Sequence, residues 1–378
     1  SLLRGGGIQA RGIVMRRFHV WILYLFFFTL LSCGDDDPVP VVAGSLESSP
    51  IKHVYGYAYK SDLTKSSMTK DLEREQITAV ALHAAYPESN GDIGDFDVTT
   101  STVADFVDKA HAHGVKVHLN IACFSSSDSK SVLKYHKNKM TAQIMDLVDA
   151  GNLDGVCLDF ENIPKEEYYR DLFATFSEIL SEKLHEKNME LFIAVGNRPG
   201  GDDDPDRLAA AADGLFIMGY AYAGPWSSYA GPTAPLTTGG KWWAAYSTYL
   251  FDEESEKTWV AKGVDPKKLI LGVPFYGYRW QTHGLGVKSQ TVSGTAKALT
   301  ISYIISKYGK EWDSYSQTPY YAWSSGGDYY QVWYDDAESF ALKFSAANAA
   351  GYGGIGMWKL PWATDDVWDE IKKYQEAE

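Results

Sequence analysis

Several features are scarce in this chain. Three cysteines among 378 residues cannot build a disulfide framework. Basic side chains are outnumbered, 35 against 49 acidic ones, for a net charge of −14. The clustered Lys and Arg that a nucleic acid or an anionic membrane surface would need are therefore missing. The apolar run at 20–31 is about 12 residues long, well short of the ~20 of a spanning helix. No glycine-rich phosphate loop follows any early strand-like segment. The nine histidines show no HxxxH spacing with a third acid nearby, so no metal or other cofactor is expected. Aromatics are abundant: 12 Trp, 25 Tyr and 16 Phe supply too much burial drive for disorder. They are either core or a surface for flat, partly apolar ligands.

The amino-terminal segment looks like an address. Arg16 and Arg17 precede the apolar run, and Ser32-Cys33-Gly34 follows it, the layout of a secretory signal. A membrane anchor or a buried helix is the alternative. Leu-Leu-Ser-Cys resembles a bacterial lipobox, which implies lipidation of Cys33 and a chain tied to the outer membrane or cell surface. Asp35-Asp36-Asp37 resembles the acidic tag of Bacteroidetes surface lipoproteins. Residues 1–14 precede the first methionine and read, with the leader, as upstream of a mature chain beginning at 33. Without residues 1–32 the charge becomes −18, from 31 basic and 49 acidic side chains. Residues 33–50 lack periodicity and suit an acidic flexible tether.

Beyond the tether, short β-branched or aromatic runs alternate with amphipathic stretches. Strands are expected at 53–59, 77–83, 115–121, 153–160, 190–196, 214–220, 269–275 and 354–358. Helices are expected at 103–113, 165–186, 242–262 and 337–350. Eight such units over residues 51–378 fit a closed (β/α)8 TIM barrel better than an open doubly wound sheet. The segment at about 279–333 breaks the alternation and is rich in Trp, Tyr and Gly. It reads as a small α+β insertion after strand seven, walling the face where barrel active sites lie.

The sharpest local signal is Asp154-Gly-Val-Cys157-Leu-Asp159-Phe-Glu161-Asn162. Strand alternation puts Cys157, Asp159 and Glu161 on one face and Val156, Leu158 and Phe160 on the other. The apolar set belongs against helices, which aims two carboxylates into the barrel at its catalytic end. Two acids crowded in one site repel, so one tends to keep a proton and can serve as a general acid. An acidic pair capping the next helix is the alternative. Asp154 has the opposite parity and reads as structural, bonding backbone at the strand start.

This stretch resembles the DGxDxDxE signature of glycoside hydrolase family 18, the chitinase and endo-β-N-acetylglucosaminidase family, with Cys157 in place of the middle Asp. Four further segments resemble the family in the same order: 216–220 (FIMGY) with 230–236, 269–277 (LILGVPFYG), Tyr334-Asp335-Asp336 with Ser339 and Lys343, and 353–358 (GGIGMW). The resemblance implies a retaining, substrate-assisted hydrolase that cleaves β-1,4 bonds next to N-acetylglucosamine, with chitin or its oligosaccharides as partner. It implies Glu161 as acid/base, Asp159 as holder of the 2-acetamido group, and Tyr220 as a further hydrogen bond to that group. Trp358 is implied as the floor under the sugar, with Tyr57, Met218 and Tyr276 lining the pocket, although ordinary barrel packing would also explain these four. Trp226, Trp242, Trp243, Trp280 and Trp323 are candidates for stacking on neighbouring sugars. A monomer is expected.

Three departures stand out. A neutral thiol at Cys157 is a poorer hydrogen-bond partner than the usual Asp, although bacterial spore-cortex relatives resemble this stretch with Asn there. Ala221 follows Tyr220 where chitinases usually have Asp, and Asn120-Ile-Ala-Cys123 stands for the usual SxGG. A disulfide between Cys123 and Cys157 is not expected, because their strand positions differ by about four residues. Competing readings are a non-catalytic chitin-binding lectin, a scaffold using its aromatic surface, and an endoglycosidase for N-glycans or peptidoglycan.

Overall fold

Alternating burial along the first strand already outlines the architecture. In β1 (His53–Tyr59) the tyrosines at 55 and 57 face one way, and Val54 and Ala58 face the other. The computed structural model describes residues 52–377 apart from 95, 202, 239–249 and 252–255. Residues 1–32, Cys33 with the 33–50 tether, Trp242 and Trp243 lie outside the described residues.

The strands that follow are β2 (Ala79–Pro87), β3 (Ile93–Gly94), β4 (Lys116–Cys123), β5 (Gly155–Phe160), β6 (Glu190–Val195), β7 (Gly214–Met218) and β8 (Leu269–Pro274). Then come β9 (Tyr276–Thr282), β10 (Lys297–Thr300), β11 (Glu311–Asp313), β12 (Thr318–Ser325), β13 (Asp328–Trp333) and β14 (Gly354–Trp358). Eight of them pair in parallel in the order β1-β2-β4-β5-β6-β7-β8-β14, and β14 pairs with β1, closing the (β/α)8 barrel. The two-residue β3 pairs antiparallel with the extended end of β2.

The barrel interior is filled by Tyr55, Tyr57, Ala79, Ala81, Cys157, Phe192, Ala194, Phe216 and Ile270. Glycine makes room for Phe216 among these. A Cβ on Gly272 or Gly356 would stand 2.5 or 2.4 Å from the Phe216 ring. The outward set packs on helices. Phe160 meets Phe173 and Phe176 of the helix Glu167–His185 at centroid distances of 5.4 and 6.0 Å.

The segment from Tyr334 also acquires a structural account. Asp336 caps the helix Ala337–Ala349, accepting from the Ser339 N–H at 3.1 Å while Ser339 Oγ accepts from the Asp336 N–H at 3.0 Å. Asp335 is buried and forms an ion pair with Lys343, also buried, while the Ser339 hydroxyl donates to it at 2.7 Å.

Between β8 and β14 lies the insertion, a five-stranded antiparallel sheet in the order β10-β9-β13-β12-β11 with the short helix Ile301–Lys307. Its first strand begins at Tyr276, three residues before the expected boundary, because β9 leaves the barrel directly after Pro274. The helix expected over 242–262 is not realised where it is described. Val260–Lys262 is a single 3-10 turn, closed by Gly263 at φ 89°. Register puts Cys123 opposite Phe160, three residues beyond Cys157, and on the outward face, so the two free thiols sit on opposite sides of the sheet.

Candidate active site

The barrel's parity delivers the acids to its carboxyl-terminal mouth. Asp159 is the inward residue next to the end of β5, pairing in register with Ala122 of β4. It is only 5% exposed, and one carboxylate oxygen, Oδ1, has no hydrogen-bond partner among the described residues. Burial, reinforced by the neighbouring negative charge of Glu161, raises its pKa to about 7. Glu161 is the first residue after the strand, its N–H continuing the ladder to Cys123 O at 2.9 Å. It is half-buried, so one acid is sealed and the other opens to the cleft. The next residue, Asn162, turns the chain away at φ 62°.

Behind Asp159, Cys157 is fully buried, and burial pushes its thiol up to about 12, so it stays neutral. The Tyr57 hydroxyl lies 3.1 Å from its sulfur. Asn120, opposite it on β4, donates from Nδ2 to Cys157 O at 3.2 Å. Deeper in the barrel the Tyr55 hydroxyl meets His118 Nδ1 at 3.0 Å. Asp154 lies at the other end of β5, where its Oδ2 accepts from the Val117 N–H at 2.7 Å and contacts His111 Nε2 at 2.8 Å.

Trp358 ends β14 at the mouth, with its ring 5.3 Å from Tyr57 and 4.9 Å, edge-on, from His83. Met218 and Tyr220 complete the wall from β7 and just beyond it, and both pack on the same interior cluster as Trp358. Tyr276 stands with its ring 6.3 Å from that of Tyr220. Burial raises the Tyr220 hydroxyl well above the ordinary phenol range. Ala221 follows in the left-handed region at φ 61°, a conformation that costs an alanine about 1–2 kcal/mol. The structure thus brings Asp159, Glu161, Tyr220, Tyr57, Met218, Tyr276 and Trp358 to one end of the barrel and leaves Asp154 outside that group.

The stacking candidates divide. Trp226 is 65% exposed on the loop after β7, beside an open groove of about 320 Å³. Trp280 is 1% exposed and packs with Trp333, Ala223 and Ala230, a core residue that lines the base of that same groove. Trp323 is spent within the insertion, stacked between Tyr321 and Tyr330 at 5.8 and 5.3 Å.

Sequence reasoning missed His83. Its Nδ1 lies 2.6 Å from Asn120 Oδ1, which leaves the amide's Nδ2 for Cys157 O and makes Nδ1 the protonated nitrogen of a neutral ring. Burial lowers its pKa. The signal was a histidine at an inward position of an otherwise apolar strand. Among the described residues no cluster of three or more His, Cys, Asp or Glu is placed to hold a metal ion, and no helix is long and apolar enough to cross a membrane.

Comparison with known proteins points in one direction. The family profile described as "Glycosyl hydrolases family 18" matches residues 44–361. Mouse di-N-acetylchitobiase is 27% identical over 246 residues, covering 57% of this chain and 63% of that enzyme. The chain spans less than two thirds of the length of the first curated relatives it matches. A Cycas revoluta family 18 chitinase, solved in complex with (GlcNAc)3, superposes with a TM-score of 0.71 at 20% identity, covering 85% of this chain and 98% of that one. The Bacillus cereus spore cortex-lytic enzyme SleL does so with a TM-score of 0.68 at 18% identity, over 85% and 74%.

Proposed function

This chain belongs to the glycosyl hydrolases of family 18, and from that premise we propose that it is a retaining, substrate-assisted hydrolase of β-1,4-linked N-acetylglucosamine oligomers. One observation carries the reading: the Asp159 Oδ1, buried and unpartnered, sits next to the half-exposed Glu161 in an aromatic-lined barrel mouth. A sealed carboxyl with a spare acceptor suits a substrate N–H.

In this scheme the sugar rests on Trp358, and the 2-acetamido N–H donates to Asp159. Glu161 protonates the glycosidic oxygen as the acetamido carbonyl oxygen attacks the anomeric carbon. The bond to the leaving sugar breaks and a cyclic oxazolinium forms, with its positive charge beside the Asp159 carboxylate. Glu161, now ionised, takes a proton from water, which opens the ring with net retention. The Tyr220 hydroxyl, kept protonated by its burial, donates to the acetamido oxygen. Holding an internal nucleophile in line replaces a bimolecular encounter. Trp226 stacks on a sugar beyond the cleaved bond. The secreted, Cys33-anchored form at the outer membrane or cell surface belongs to the same proposal and rests on the leader pattern.

The test is release of chromophore from chitobiose and chitotriose glycosides by wild type and Glu161→Gln. The variant is expected to lose about 10²–10⁴-fold in rate, with the first product formed as the β-anomer by NMR. Equal background release by both would remove the enzyme reading, and retained binding to insoluble chitin would then favour a lectin. Parallel digestion of chitin, an N-glycosylated protein and peptidoglycan identifies the polymer.

A further inference from the structure

Beside the proposed sugar floor lies a buried ammonium that the chemistry does not use. Lys359 immediately follows Trp358, is 1% exposed, and forms an ion pair with Asp62, equally buried, in the turn Lys60–Asp62 after β1. Its Nζ lies 4.5 Å from the centre of the Tyr59 ring and 4.0 Å from that of Trp362, so two aromatic faces bracket one cation. The Asp62 carboxylate is itself tightly held, taking Lys65 Nζ at 2.5 Å and the Tyr59 N–H at 3.2 Å.

The consequence is geometric. Tyr59 is the last residue of β1 and Trp358 the last of β14, neighbours around the closed barrel. The Tyr59 ring stands edge-on to Trp358 at 5.8 Å, and His83 completes a triangle at 5.2 Å from Tyr59 and 4.9 Å from Trp358. Trp358 is also held through its backbone, since its carbonyl accepts from the Phe275 N–H at 2.7 Å. Tyr59 is held through its backbone too, pairing in register with His83 of β2 and donating its N–H to Asp62, but the residue is more than a third exposed. The Lys359 ammonium, paired with Asp62, lies over the face of the Tyr59 ring, which His83 and Trp358 also contact.

We propose that Lys359 is a positioning residue: held by Asp62 between Tyr59 and Trp362, its ammonium locks Tyr59 against Trp358 so that the two rings form one preformed sugar platform. The inference rests on the hydrolase reading for its effect on turnover, but not for its effect on the rings. A desolvated ion pair is weak evidence of a stabilising role, since an apolar substitute often serves as well. A role in holding two sugar-facing rings gives the pair a different purpose. Burial lowers the Lys359 pKa and the Asp62 carboxylate raises it again, which is the mutual dependence a clamp needs.

The experiment compares Lys359→Met, which keeps the aliphatic stem and removes the charge, with Lys359→Arg, which keeps charge and stacking. Circular dichroism checks that each folds. In 5-fluorotryptophan-labelled protein, with the Trp358 19F resonance assigned through Trp358→Phe, Lys359→Met is expected to shift or broaden that resonance and Lys359→Arg to leave it near wild type. On chitotriose, kcat is expected to fall about tenfold or more in Lys359→Met with KM within about threefold, and to recover in Lys359→Arg, because misplaced sugar contacts act on the transition state. A Lys359→Met protein with an unmoved Trp358 resonance overturns the proposal, as does an equal loss of kcat in both variants. If wild type turns over nothing, the hydrolase reading fails and the resonance alone decides the clamp.

Discussion

The Tyr57 hydroxyl sits 3.1 Å from the sulfur of Cys157, two residues along β5 from Asp159. The family signature has a carboxylate where this sulfur is, and the thiol's pKa of about 12 means that the position carries no charge at any physiological pH. Among the described residues, that leaves Asp159 with Glu161 as the acid whose charge acts on it.

Restoring a carboxylate tests that description. Cys157→Asp adds a third negative charge within the group, and like charges raise the pKa of the protons that remain. The kcat/KM–pH profile is expected to move towards higher pH in Cys157→Asp and to stay in place in Cys157→Ser, which keeps a neutral hydroxyl for Tyr57. An unmoved profile in the aspartate variant would show that position 157 is not coupled to the acids.

Asp159 also makes stability depend on pH, with a definite sign. Its folded pKa of about 7 lies above the unfolded value of about 3.9, so the folded state binds the proton more tightly. Its contribution is fully present below pH ~4 and is lost as pH rises through 7. Asp71, raised to about 7 mainly by burial, acts in the same direction. Asp159→Asn is therefore expected to gain roughly 2–4 kcal/mol over wild type at pH 8, and almost nothing at pH 4. Urea denaturation at the two pH values checks this. A gain equal at both would mean that the group does not titrate in this window.

The Asp335–Lys343 pair should behave as structure alone. Both side chains are buried, and removing one partner strands the other's charge, at a cost of about 3–5 kcal/mol. Lys343→Met is expected to lower stability by about that amount in urea melts while leaving the pH–rate profile of the surviving fold unchanged. A displaced profile would draw this pair into the active site.

Much of this was legible along the chain. β1 and β14 run over the spans that alternation had assigned, and the inward parity of Cys157 and Asp159 follows from a two-residue repeat that tertiary packing does not alter. Less was legible wherever partners come from distant segments. Trp226 and Trp280 look equivalent as letters, yet one is exposed on a loop and the other is enclosed by Trp333 and its neighbours from the insertion sheet. His83 drew no notice because its meaning depends on Asn120, 37 residues away. Lys359 reads as an ordinary surface lysine until Asp62, 297 residues earlier, closes on it.

The division has one physical cause. A strand's side chains alternate by local geometry, and with it the sequence alone determined the barrel and the direction in which its acids point. Burial and charge, by contrast, are set by whatever the closed barrel brings alongside. Only the tertiary structure decided that Asp159 is sealed with a free acceptor oxygen, that Cys157 is a silent thiol under Tyr57, and that the aromatic wealth divides into core, insertion and a small platform around Trp358.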